Sequence, residues 1–198
     1  MNSHYRLGLA ALCIAILALL TPAELRADLI SNGDFSAGDA DWTITPASQG
    51  SDFYFGTAYT NIPVMAFGAG VVGFYDTAAQ TLVTQPGYVY TLSFQLANQT
   101  PGAGADFEAL WDGTEVVDVP GDSLLDNNAL TTYTMTVDGT GSDTLSLEGY
   151  NTTSWYFLTG VSVDEDGPLG VTPEPASLLL LGTGLLGLCG LVFRRRRT

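Results

Sequence analysis

Between residues 28 and 172 the chain has no lysine, arginine, histidine or cysteine. A Ser-His-Asp or Cys-His site needs an imidazole, a Cys/His zinc centre needs thiolates or imidazoles, and a Schiff base needs a lysine amine. All of these are excluded from this stretch. An internal disulfide is excluded as well, so stability rests on a packed core. About 145 residues are enough for one domain with a sizeable interior.

Charge is just as one-sided. The six basic residues, Arg6, Arg26, Arg194, Arg195, Arg196 and Arg197, all lie outside this body, and of the 21 acids only Glu24 and Glu174 do. The body therefore carries 19 acids and a formal charge of −19. Such a surface repels nucleic acid and anionic headgroups and attracts cations, so no nucleic-acid partner is expected.

The two ends are built differently. A short n-region ending in Arg6, an apolar run of 14 residues over 7–20, Pro22 and then Leu25-Arg26-Ala27 read as a secretory signal peptide over 1–27. The run is shorter than the roughly 20 residues of a permanent span. Cleavage is expected after Ala27, with Ala23 as the alternative. Cys13 lies inside the apolar run behind the bulky Leu12 and reads as part of the signal helix. At the other end, Pro173-Glu174-Pro175 precedes 18 uncharged residues over 176–193 and then four arginines. At about 1.5 Å per residue these form a helix of about 27 Å, near the thickness of a bilayer core. Arg194, Arg195, Arg196 and Arg197 favour the cytoplasmic face and so leave the body outside.

The segment VTPEPASLLLLGTGLLGLCGLVFRRRRT resembles the PEP-CTERM sorting signal of Gram-negative bacteria that elaborate exopolysaccharide. The resemblance implies that Pro173, Glu174 and Pro175 are the recognition element for exosortase. It also implies an export route through the secretion machinery and a precursor held transiently in the inner membrane. The mature form is then expected at the cell surface or in the extracellular matrix.

The body alternates with period two. Tyr88, Tyr90, Leu92, Phe94 and Leu96 predict a long half-buried strand, as do Phe107, Ala109 and Trp111 ahead of the turn Asp112-Gly113. Tyr133, Met135 and Val137, then a turn at Asp138-Gly139, then Leu145 and Leu147, continue the pattern, and 155–163 reads as a last strand. With weaker runs near Trp42, Phe53, Val64, Val71 and Leu82, nine or ten strands are expected. The predicted fold is an all-β antiparallel sandwich of jelly-roll type over 28–170, flanked by the signal helix and, in 171–198, the sorting signal with its transmembrane helix.

Leu29-Ile30-Ser31-Asn32-Gly33-Asp34-Phe35-Ser36, the run from Gln80 through Gly87 into Tyr88-Val89-Tyr90, and the last strand resemble galactose-binding-like jelly rolls, the fold of many carbohydrate-binding modules. Where such modules carry Glu after the first Phe this chain has Ser36, and where they carry Asp before the final Val-x-Val it has Thr159-Gly160. In such modules those carboxylates commonly help hold a structural calcium, which these departures remove; divalent binding through loop oxygens, for example Asp164-Glu165-Asp166 or Asp118 with Asp122, makes Ca²⁺ the candidate cofactor.

Trp42, Trp111 and Trp155 are candidates for stacking on sugar rings, but each lies in or beside an alternating strand, where indoles commonly pack inward, and all three are expected in the core. Phe53, Tyr54, Phe55 and Tyr59 form the candidate ligand-binding patch, because neighbouring aromatics in one strand point to opposite faces. Glu108, Glu115 and Glu148 are the carboxylates a glycosidase reading would use, but the acids are spread along the chain and no pair stands out. The functional expectation is a non-enzymatic exported surface or matrix protein associated with exopolysaccharide. The alternatives are a carboxylate-based glycan hydrolase and an adhesive protein without a specific glycan ligand.

Overall fold

The computed structural model describes residues 28–58, 61–102, 104–122 and 129–170, and these contain ten strands and no helix. The strands are β1 (Thr43–Thr45), β2 (Phe53–Ala58), β3 (Ile62–Phe67), β4 (Asp76–Leu82), β5 (Tyr88–Asn98), β6 (Ala105–Trp111), β7 (Thr114–Pro120), β8 (Thr131–Asp138), β9 (Asp143–Asn151) and β10 (Tyr156–Pro168). They pair antiparallel in two five-stranded sheets, β1-β4-β9-β6-β7 and β2-β3-β10-β5-β8. The chain is thus the two-sheet sandwich its alternation predicts. Ala27, Tyr59, Pro173, Glu174, Pro175 and the four C-terminal arginines lie outside the described residues, as do the expected signal and membrane helices.

Alternation decides which side chains meet between the sheets. Tyr90, Leu92, Phe94 and Leu96 of β5 and Tyr156, Leu158, Val161 and Val163 of β10 point inward from one sheet. Phe107, Ala109 and Trp111 of β6 and Leu145 and Leu147 of β9 meet them from the other. Leu158 and Val161 are three residues apart, so strict alternation would put them on opposite faces. Gly160, at φ 62°, sits in a register shift between Thr159 and Ser162 and restores the inward face. Asp112 and Gly113, at φ 51° and 75°, close the β6–β7 hairpin as a primed turn.

Two expectations change. The run near Val71 is no strand: Phe74 donates its N–H to the Val71 carbonyl at 3.2 Å, Gly73 has φ 78°, and Val72 is exposed. It is a turn between β3 and β4, because glycines 68, 70 and 73 interrupt any pleat. Asp138-Gly139 does turn the chain, but it carries it across the sandwich from β8 in one sheet to β9 in the other. A Cβ at Gly139 would lie 2.6 Å from Tyr90 and 2.7 Å from the Gln85 carbonyl, so only glycine fits that crossing.

Candidate functional site

Three connections meet at one end of the sandwich: 46–52 between β1 and β2, 68–75 between β3 and β4, and 152–155 between β9 and β10. They enclose a cleft of about 350 Å³ lined by Gly50, Asp52, Gly68, Gly70, the 151–154 turn and Trp155. Its walls are braced from behind. Gly70 donates its N–H to the Gly50 carbonyl at 2.6 Å. Asn151, fully buried, accepts the N–H groups of Thr153 and Ser154 at 3.1 and 2.9 Å and donates to Asn98 Oδ1 at 2.9 Å. Ser154 Oγ donates to Gln99 Oε1 at 2.7 Å. These bonds hold the turn before Trp155 in one shape.

Trp155 differs from the other two indoles. Trp42 and Trp111 are buried, and their ring N–H groups donate to the carbonyls of Asn32 and Asp138 at 3.2 and 3.0 Å. The expectation of a core position holds for those two. Trp155 is half-buried and lies over Gly68, where a Cβ would sit 2.4 Å from its Nε1. It lies just ahead of β10, outside the alternating register, and packs against a small second cluster of Val64, Ala66 and Phe157 instead of the main core. Its Nε1 is buried without a hydrogen-bond partner among the described residues. Tyr54 meets it edge to face, with ring centroids 6.1 Å apart. Burial and then the Asp52 charge push the Tyr54 phenol up.

The four aromatic candidates therefore separate. Phe53 and Phe55 turn toward the core, touching each other at 5.2 Å and reaching Phe67 and Phe35 at 5.3 and 6.1 Å respectively. Tyr54 alone of the described three faces outward, and at 38 % it is an exposed large aromatic beside the cleft. Trp155 is the partner that strand patterning missed. The cue available was its place between the turn Asn151-Thr152-Thr153-Ser154 and the strand.

The outer face of the other sheet holds a second constellation. Thr45, Thr77, Glu148, Glu108 and Asp118 are successive cross-strand partners along one row of β1-β4-β9-β6-β7. The acids are thus not evenly spread: pairing brings Glu108 directly opposite Glu148, which separation of about 40 residues hides in the sequence. Tyr75 donates to both Asp106 Oδ2 and Glu108 Oε1 at 2.9 Å and packs edge-on to Tyr150 at 4.9 Å. Burial, then the Glu108 charge, raises the Glu148 carboxyl, and burial with the charges of Asp106 and Glu108 raises Asp118. Glu115 is exposed at the start of β7, opposite Leu110, away from this row. Among the described residues no group of three or more Asp, Glu, His or Cys is arranged to hold a metal ion.

The described residues thus form a two-sheet antiparallel sandwich of jelly-roll architecture. Residues 171–197 match the profile of the PEP-CTERM protein-sorting motif. No curated protein sequence matches the chain. Among solved structures, a Stig cyclase, FisC from Fischerella sp. TAU, is 18 % identical, with 72 % of this chain and 99 % of that one covered and a TM-score of 0.54. TmCBM61, solved with β-1,4-galactotriose, is 14 % identical over 69 % of this chain and 97 % of that one, with a TM-score of 0.50. The enzymatically active domain of tailspike protein 4 of bacteriophage CBA120 is 15 % identical over 70 % of this chain, with a TM-score of 0.54, and the chain spans only 21 % of its length. At these identities the likeness is one of fold. The sorting motif implies export, a precursor anchored at its C-terminus and processing by exosortase.

Proposed function

We propose that the protein is an exported, non-enzymatic carbohydrate-binding or matrix protein whose ligand site is the cleft beside Trp155 and Tyr54. One observation carries this reading: an indole held half-buried on Gly68, with a tyrosine edge against it, borders an open cleft rimmed by Asp52, Thr152 and Thr153. Aromatic faces pack on the apolar faces of pyranose rings, while carboxylate and hydroxyl groups bond the ring hydroxyls. The carbohydrate-binding neighbour of like fold supports the reading. The test is a glycan array with the exported protein and its Trp155→Ala and Tyr54→Ala variants. At least tenfold weaker retention of a polysaccharide by both variants is expected; unchanged retention would move the site elsewhere.

The outer row of the first sheet favours one alternative, a carboxylate-based glycan hydrolase with Glu148, raised by burial, as acid and Glu108 as its partner. Turnover of any glycan that disappears in Glu148→Gln would establish it, and inactivity across a broad panel would remove it. Maturation is tested by intact mass. The mature chain is expected to begin at Asp28 and to lack everything from about Pro173 onward.

A further inference from the structure

Asp76, at the start of β4, is fully buried and points into the sandwich. Its Oδ1 accepts the Ala47 N–H at 2.8 Å and the Ser51 hydroxyl at 2.5 Å. Its Oδ2 is buried and has no hydrogen-bond partner among the described residues. The fold shows elsewhere how it satisfies such a group. Asp143, equally buried at the start of β9, accepts the Thr140 N–H on both oxygens at 3.2 and 3.0 Å, the Thr140 hydroxyl on Oδ1 at 2.6 Å and the Thr84 hydroxyl on Oδ2. Asp76 has donors on one side only.

A buried carboxylate oxygen without a donor is costly. The body contains no Lys, Arg or His to pair with it. The connection that Asp76 anchors, 46–52, is rich in oxygens: Ser48, Gln49, Ser51, Asp52 and the main-chain carbonyls. We propose that Asp76 Oδ2, with oxygens of this connection, binds a hard divalent cation, Ca²⁺, behind the wall of the cleft. Ser51 lies between Gly50 and Asp52, which line the cleft, so the ion would also fix that wall. The proposed ligands do not include Ser36 or Thr159-Gly160, where the family resemblance would look for calcium. One or two carboxylates with neutral oxygens place it in the weak extracellular class, with a Kd on the order of 10⁻⁴–10⁻³ M. The field of a body charged −19 raises the local concentration of such ions.

The test is thermal unfolding of the exported protein in EDTA, in 10 mM CaCl₂ and in NaCl of equal ionic strength, for the native chain and Asp76→Asn. Calcium is expected to raise the melting temperature of the native chain by about 5 °C or more beyond NaCl. Asp76→Asn, which keeps the Oδ1 acceptor for Ala47 and Ser51, is expected to lose that increment. An equal calcium increment in both proteins would mean general neutralisation of the acidic surface, and none in either would mean a buried water or nothing at Oδ2; both overturn the proposal. Terbium luminescence of the native chain, excited through its indoles, guards against a variant that fails to fold. Saturation at one ion per chain with displacement by Ca²⁺ is expected, and a non-saturable signal overturns the site. The consequence for the cleft rests on the glycan reading above, but the unfolding shift does not. Loss of glycan binding with the calcium shift intact would count against that reading alone.

Discussion

The two ends of the sandwich treat the same problem differently. At the end built by 83–87, 139–142 and the Asp112-Gly113 turn, a buried carboxylate is surrounded by threonine donors and a glycine crossing fitted against Tyr90. At the other end, the two buried side-chain polar atoms without partners among the described residues, Asp76 Oδ2 and Trp155 Nε1, belong to residues framing or bracing one cleft. A fold that completes its polar bonding at one end and leaves it open at the other has concentrated its departures where a ligand would complete them. The closed end is bonded for stability; the open end is where the proposed ligand and ion would bind.

The comparison is sharpest when the same change is made at both ends. Asp143→Asn puts an amide donor against the Thr84 and Thr140 donors, and is expected to cost about 2–4 kcal/mol. Asp76→Asn in calcium-free buffer keeps its acceptor for Ala47 and Ser51, and is expected to stay within about 1 kcal/mol of the native chain. Urea unfolding of both variants measures the difference. Equal losses would show that the two ends are bonded alike and that the open end is no exception.

A smaller effect is expected from Gly68→Ala. The added carbon would meet Trp155 at 2.4 Å and the Asp52 carbonyl at 2.9 Å, so the indole must leave its seat. Overpacking of this kind costs about 1–3 kcal/mol. Retention of glycan should fall along with stability. A variant that unfolds earlier yet binds unchanged would separate the indole from the site.

The strands were legible because their signal is local. Tyr88, Tyr90, Leu92, Phe94 and Leu96 announce β5 and their burial by alternation alone, and Asp112-Gly113 announces its turn by backbone chemistry. Val71 and Val72 misled because β-branched residues look like a strand wherever they occur, while the flanking glycines decide the backbone. The site was less legible. Tyr54 is readable as the odd aromatic of Phe53-Tyr54-Phe55, but Trp155 reaches it only through the pairing of β2, β3 and β10. The Glu108–Glu148 pair and the half-satisfied Asp76 depend on partners 25 or more residues away, which no window along the chain contains.

Acid adds a test of the closed end. Burial pushes the Asp143 carboxyl up, but donors from Thr140 and Thr84 outweigh it and bring it down to about 2. A carboxylate at about 3.9 in the unfolded chain and lower in the fold contributes stability above the unfolded value. That contribution is lost as pH falls toward 2. Melting temperature against pH should therefore fall more steeply between about pH 4 and 2 in the native chain than in Asp143→Asn. Parallel curves would mean that the threonine donors do not hold the carboxylate charged.

The smallest effect has the opposite sign and lies on the outer sheet face. Glu148 stands directly opposite Glu108, and like charges so placed destabilise a sheet. Burial and the Glu108 charge raise its carboxyl, so the folded chain holds that proton more tightly than the unfolded chain. As pH falls through its folded pKa toward its unfolded value, protonation stabilises the fold, opposing the loss at Asp143. Glu148→Gln makes that neutralisation permanent and should stabilise the protein at pH 7 by a few tenths of a kcal/mol, about the scale of a cross-strand pair. The gain should shrink in moderate salt, which screens charges at the surface. A loss of stability in Glu148→Gln at low salt would show that Tyr75, Glu108 and Glu148 act as one bonded network rather than as a crowded row of charge.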